Sequence, residues 1–134
     1  MLMLSCKPST LKVMVVDDHE LTRFCLKLAF SNQNNIELVG LASNGKEAVD
    51  MFEQYRPDVV VMDLQMPIMD GWSASTKIKD IEPNTQIIAY SSLEDMKSPD
   101  SNSSDCLDAF CKKDTATPEL IALVRKLGDR SVNS

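Results

Sequence analysis

A chain of 134 residues, 43% apolar and 25% charged, has the size and composition of one folded domain with a core of its own. Its net charge of -6, with no Lys/Arg cluster, argues against direct nucleic-acid binding by this segment, and no apolar run approaches membrane-spanning length. Met1 to Cys6 is too short for a secretory signal and lacks a charged start. The four cysteines form no CxxC pair, so reduced thiols in a cytoplasmic protein are expected.

Residues 1–9 read as an N-terminal tail and residues 10–128 as the domain. Leu11 to Val16 is an apolar strand with Lys12 as its only charge, and it ends in Asp17-Asp18. Leu21, Phe24, Cys25, Leu28 and Ala29 recur at helical spacing and predict a first helix packed through that stripe. Ser31 to Asn35 breaks the pattern before a second strand, Ile36 to Ala42. Asn44, with Glu47 three residues on, forms a capping box for a second helix whose apolar face is Ala48, Val49, Phe52 and Tyr55. Asp58 to Asp63 follows, with three consecutive valines and Met62. It reads as a strand buried on both faces and closed by a carboxylate. Gly71 opens a third helix carrying Trp72, Ala74, Ile78 and Ile81, which Pro83 stops. Thr85 to Tyr90 is a fourth strand reaching Ser91.

Residues 93–108 have few apolar positions, one proline and several serines, so an irregular fourth helix or a loop is expected. Ala109 to Cys111 is a short fifth strand leading into Lys112-Lys113-Asp114. Thr117-Pro118 starts a fifth helix, with Leu120, Ile121, Val124 and Leu127 as its buried face and Gly128 as its end. Residues 129–134 read as a tail or the start of a linker.

Strands alternating with helices imply an α/β domain with a parallel sheet covered on both faces. The flavodoxin-like three-layer sandwich, with five strands in the order 2-1-3-4-5 and five helices, is the expected topology. It sets Asp17 and Asp18 beside Asp63, and brings Ser91 and Lys113 to the same edge. Each like-charged pair at ~4 Å costs about 4 kcal/mol at an effective dielectric near 20, so three carboxylates need cations. A single Lys113 cannot neutralise them, and an oxygen-only ligand set with an open shell suits Mg²⁺. With that charge screened, Asp63 can act as a nucleophile toward phosphorus while Lys113 and the Ser91 hydroxyl bind the phosphoryl oxygens. His19 reads as a cap or exposed polar group, and Trp72 as a packing residue close enough to Asp63 to report metal binding.

The Asp17-Asp18 pair and the segment Asp63-Leu64-Gln65-Met66-Pro67-Ile68-Met69-Asp70-Gly71 carry a resemblance. From Leu11 to Gly128 the chain resembles the CheY-like receiver (REC) domain of bacterial two-component response regulators. The resemblance implies a phosphorylation-activated switch that accepts and slowly hydrolyses its own phosphoryl group and is not a turnover enzyme. By it, Asp63 is the phosphoacceptor, loaded by a sensor histidine kinase or a phosphotransfer protein. Asp18 and Asp63 hold Mg²⁺ directly, Asp17 acts through water, and the Gln65 backbone carbonyl is a further ligand. Ser91 and Phe110 match the switch pair and Lys113 the family lysine. A homodimer through the fourth helix, fifth strand and fifth helix is implied, as is a DNA-binding output module if the chain is part of a longer one.

Two features depart from the family pattern. Asp114 stands where many members carry a cis proline, which leaves the isomer of the Lys113–Asp114 bond open. Residues 93–108 lack the small residues and apolar stripe usual there. Two other readings stay on the table: an aspartyl-phosphate phosphatase resembling the haloacid dehalogenases, and a receiver that binds partners without phosphorylation. The first needs a second acid two residues after the nucleophile, where this chain has Gln65, which cannot donate a proton in that way.

Overall fold

Runs of β-branched and other apolar residues make the strands, because such side chains pack on a pleated surface from both sides. The computed structural model describes residues 10–92 and 106–133, with side chains as far as 129. Its strands are β1 (Leu11–Val16), β2 (Ile36–Ala42), β3 (Val59–Met62), β4 (Gln86–Ser91) and β5 (Ala109–Lys112). Its helices are α1 (Glu20–Ser31), α2 (Gly45–Tyr55), α3 (Gly71–Ile81) and α4 (Thr117–Asn133).

All neighbouring strands are parallel, in the order β2-β1-β3-β4-β5, as expected of a flavodoxin-like sheet. One irregularity, between Val13 and Met14, shifts the register of β1 on β2. The described residues contain four helices rather than five. The irregular helix expected over 93–108 falls largely on residues 93–105, which lie outside the described ones, and 106–108 carry no α-helix.

One face of the sheet, with Val13, Val15, Val59, Val61 and Ile88, is covered by Leu26 and Phe30 of α1 and by Leu120, Val124 and Leu127 of α4. The other, with Met14, Val16, Val60, Met62 and Ile87, is covered by Ala48 and Phe52 of α2 and by Trp72, Ala74 and Ile78 of α3. Side chains at i and i+1 on each strand thus feed opposite cores, while i and i+2 share one, as strand alternation requires.

Helix α1 corrects the expected stripe. Leu26 and Phe30 are its buried residues, while Leu21, Phe24 and Leu28 are 72%, 54% and 50% exposed. Two overlapping apolar stripes run along this helix, and it buries the one carrying Phe30. Arg23 belongs to that inner side, where its Nη1 donates to the Asp17 carbonyl at 2.7 Å.

The α2 cap forms with a small difference. Asn44 Oδ1 accepts the Glu47 N–H at 2.8 Å, while Glu47 Oε1 accepts the N–H of Ser43 instead of that of Asn44. At the other end of the chain, Gly128 does not terminate α4, which continues to Asn133 in place of the expected tail. A Cβ at Gly128 would meet the Leu11 methyl carbons at 2.6 Å, so glycine there serves close packing of helix on strand.

Candidate functional site

Parallel pairing of Val16 with Met62 puts the residues that follow, Asp17 and Asp63, side by side at the carboxyl edge of the sheet. Backbone bonds fix both: Asp17 N–H donates to Ala42 O at 3.0 Å, and Asp63 N–H to Val16 O at 2.9 Å. Ser91 pairs with Lys112 at the β4–β5 junction, and the Lys113 N–H donates to Ser91 O at 3.0 Å. Lys113, not the exposed Lys112, turns into the site. No cis peptide bond occurs among the described residues, so Lys113–Asp114 is trans.

The loop after Asp63 is held close by glycine. Gly71 N–H donates to Leu64 O, Asp70 Oδ1 caps α3 by accepting the Ser73 N–H, and a Cβ at Gly71 would lie 2.0 Å from Asp63 O. Gly45 receives the far side of this loop, donating its N–H to Met69 O at 2.9 Å.

Within the cluster Lys113 Nζ lies 2.9 Å from Asp17 Oδ2 and 3.4 Å from Asp63 Oδ2. Both oxygens are buried and neither accepts an aligned hydrogen bond from the described residues. Asp63 Oδ1 accepts the Gln65 backbone N–H at 3.3 Å. Asp17, Asp18, His19 and Asp63 each offer a ligand atom, all within 4.8 Å of one another. Three carboxylates against one ammonium leave two negative charges, two of the acids being almost fully buried. Burial pushes the Asp63 carboxyl up to about 6, the Asp17 charge adds to this, and Lys113 and the Gln65 N–H oppose it. Burial also works against the Lys113 ammonium, but the close contact with Asp17, with Asp63 beside it, holds it above the ordinary lysine value.

Two buried carboxylate oxygens that share one ammonium and an excess of negative charge are what a divalent cation resolves, and an oxygen-rich set fits Mg²⁺. The cluster contains no cysteine; Cys25 is exposed, Cys106 half-buried and Cys111 buried, each a free thiol. Ser91 is buried at the end of β4. Phe110 is 46% exposed, its ring centroid 6.4 Å from that of Trp72 with planes tilted by 53°. His19, expected as a cap or exposed polar group, joins the cluster through Nδ1. Its place next to Asp17-Asp18 was the available signal, and the backbone turn after Asp18 supplies the direction.

A family model for the response regulator receiver domain matches residues 13–125. The chain belongs to this family. It is therefore the receiver domain of a two-component response regulator, with an acidic pocket suited to phosphorylation and Mg²⁺ binding, and not a classical turnover enzyme. It is 35% identical over 117 residues, 87% of the chain, to the response regulator protein VraR of Staphylococcus aureus. The match covers 56% of that relative, so the chain spans about half the length of the curated relatives it matches. The response regulator domain of Thermotoga maritima CheB superposes with a TM-score of 0.77 at 28% identity, over 90% of this chain and 97% of that one. Response regulator protein TrrA of the same organism, solved in complex with Mg²⁺-BeF, gives 0.76 at 28% identity, over 88% and 99%. No helix among the described residues of this receiver is long and apolar enough to cross a membrane.

Proposed function

We propose that Asp63 is the phosphoacceptor of this receiver and that Asp18 and Asp63 hold Mg²⁺ directly, with Asp17 acting through water and the Gln65 carbonyl completing the protein ligands. The observation that carries this is the buried Asp63, with Lys113 3.4 Å from its Oδ2 and two further acids beside it. With a pKa of about 6, Asp63 is mostly carboxylate at neutral pH and available as a nucleophile.

An Asp63 oxygen attacks the phosphorus of a phosphohistidine on a sensor kinase or phosphotransfer protein. The oxygen–phosphorus bond forms, the phosphorus–nitrogen bond breaks, and the donor imidazole leaves with its electron pair. Lys113 and the Ser91 hydroxyl hold the phosphoryl oxygens. Asp18, Asp63 and the Gln65 carbonyl would hold Mg²⁺, which would supply the positive charge that lets a phosphoryl group approach these acids. Ser91 and Phe110 act as the switch pair that carries the modification to the β4–β5 surface, and slow hydrolysis by water resets it. The half-length match to VraR supports a longer gene product in which this domain governs an output module, DNA-binding in this proposal, by dimerising through β5 and α4.

The phosphatase reading is disfavoured by Gln65, which stands two residues after Asp63 and meets it through a backbone N–H. Incubation with acetyl phosphate and Mg²⁺ should add about 80 Da to the intact mass, one phosphoryl group, and Asp63→Asn should abolish it. An unmodified wild type, or a modified Asp63→Asn, would overturn the assignment.

A further inference from the structure

His19 occupies the N-cap position of α1 with an extended backbone, yet its side chain makes no capping bond. The imidazole turns back over the acids: Nδ1 lies 3.1 Å from Asp17 Oδ1 and 3.2 Å from Asp18 Oδ1. Neighbouring ligands of an octahedral ion sit about 3 Å apart, √2 times a bond of about 2.1 Å. The 3.2 Å between His19 Nδ1 and Asp18 Oδ1, a direct ligand in the reading above, therefore fits two neighbouring ligand atoms of one ion. Independently, Asp17 Oδ2 and Asp63 Oδ2 lie buried in the same cluster on side chains only 1% and 3% exposed, sharing the single Lys113 ammonium at 2.9 and 3.4 Å and accepting no aligned hydrogen bond among the described residues.

We propose that His19 Nδ1 is a further ligand of the receiver cation site, so that the pocket takes a borderline metal such as Ni²⁺ or Co²⁺ through this nitrogen together with its carboxylates. The inference rests on the reading above that Asp18 and Asp63 hold a divalent ion. Imidazole suits Ni²⁺, Co²⁺ and Zn²⁺, whereas Mg²⁺ strongly prefers oxygen. His19 thus separates the two classes of ion at a single site: Mg²⁺ uses the oxygens, and a later first-row metal gains the nitrogen. The ring is 67% exposed, which lets a hydrated ion reach Nδ1 without opening the fold.

A shared Nδ1–H between two carboxylates would give similar distances, and one substitution tells the two apart. His19→Asn keeps an N–H donor near the Nδ1 position but has no imidazole nitrogen. Calorimetric titrations of the full chain with NiCl₂ and MgCl₂ should show Ni²⁺ affinity falling at least about tenfold in His19→Asn. Mg²⁺ affinity should stay within about twofold. The visible band of bound Co²⁺ should move to longer wavelength as oxygen replaces nitrogen in the weaker field. Unchanged Ni²⁺ affinity, or equal losses for both ions, would overturn the proposal and leave the Mg²⁺ site standing. Ni²⁺ binding that survives both Asp18→Asn and Asp63→Asn lies elsewhere and would overturn it too. A wild type that binds no Mg²⁺ would instead remove the cation-site reading beneath it.

Discussion

Lys113 Nζ stands 2.9 Å from Asp17 Oδ2, an oxygen on a side chain only 1% exposed. Asp63 Oδ2 lies 3.4 Å from the same nitrogen, so one ammonium serves two buried acids. Removing one partner of a buried ion pair costs about 3–5 kcal/mol, and the 27% exposure of Lys113 places it at the low end. Lys113→Met should therefore lower urea stability in EDTA by about 3 kcal/mol, and millimolar Mg²⁺ should recover much of that by binding the folded state. Equal midpoints for the variant and wild type in EDTA would mean that the acids do not rely on this lysine.

Asp63 gives the site its pH dependence. Its folded pKa is about 6, above the ordinary 3.8, so the folded protein holds this proton more tightly than the unfolded chain does. The contribution of this group to stability is then flat below about pH 4, falls as pH rises to about 6, and stays reduced above that. Asp63→Asn is neutral throughout and escapes the fall. In EDTA at pH 7.5 the variant should be more stable than wild type, by on the order of 2 kcal/mol, with the gap closing near pH 4. Mg²⁺ should narrow the gap at pH 7.5. Melts that show a pH-independent difference would contradict this account.

Gly71 sets how closely the loop returns to Asp63. A Cβ there would lie 2.0 Å from Asp63 O and 2.8 Å from Leu64 Cα, both backbone atoms that cannot yield without moving Asp63, the proposed phosphoacceptor. Gly71→Ala should cost more than about 2 kcal/mol and slow phosphorylation by acetyl phosphate. Gly40→Ala is the control, because its Cβ would meet the flexible Met51 side chain at 3.4 Å. Similar melts for the two variants would count against the role of this close approach.

Ile68, in the same loop, is 77% exposed and has φ of 71°, a left-handed conformation that a β-branched residue adopts at a cost. Asn tolerates this region better. Ile68→Asn should stabilise the domain by up to about 1 kcal/mol, read as a higher urea midpoint at unchanged slope. A lower midpoint would show that the exposed side chain contributes packing.

The sheet and the Asp17, Asp63 and Lys113 cluster were legible because their signals are local. Each strand is a predominantly apolar run, Asp17 and Asp63 sit where theirs stop, and parallel pairing then converts sequence position into proximity. Gly128 was not legible, since a glycine late in a helix serves equally as a terminator or as a contact point, and only Leu11, distant in sequence, decides between them. His19 was placed beside the site but not aimed into it, because its direction depends on the turn between β1 and α1. The face of α1 was misread for a related reason: periodicity finds a stripe but does not rank two that overlap.

That last point can be tested with two leucines two positions apart. Leu26 is 3% exposed and packs in the α1–α4 core with Phe30, while Leu28 is 50% exposed on the outer stripe. Leu26→Ala should cost about 2–5 kcal/mol through lost burial and the cavity left behind. Leu28→Ala should stay within about 0.5 kcal/mol, since it removes little packing and alanine is the better helix former. The stripe drawn from sequence spacing, which places Leu28 inward, requires the reverse order. Urea denaturation of the two variants therefore tests the rotation of α1 about its own axis, and with it the side of the helix that holds Arg23 against the Asp17 carbonyl.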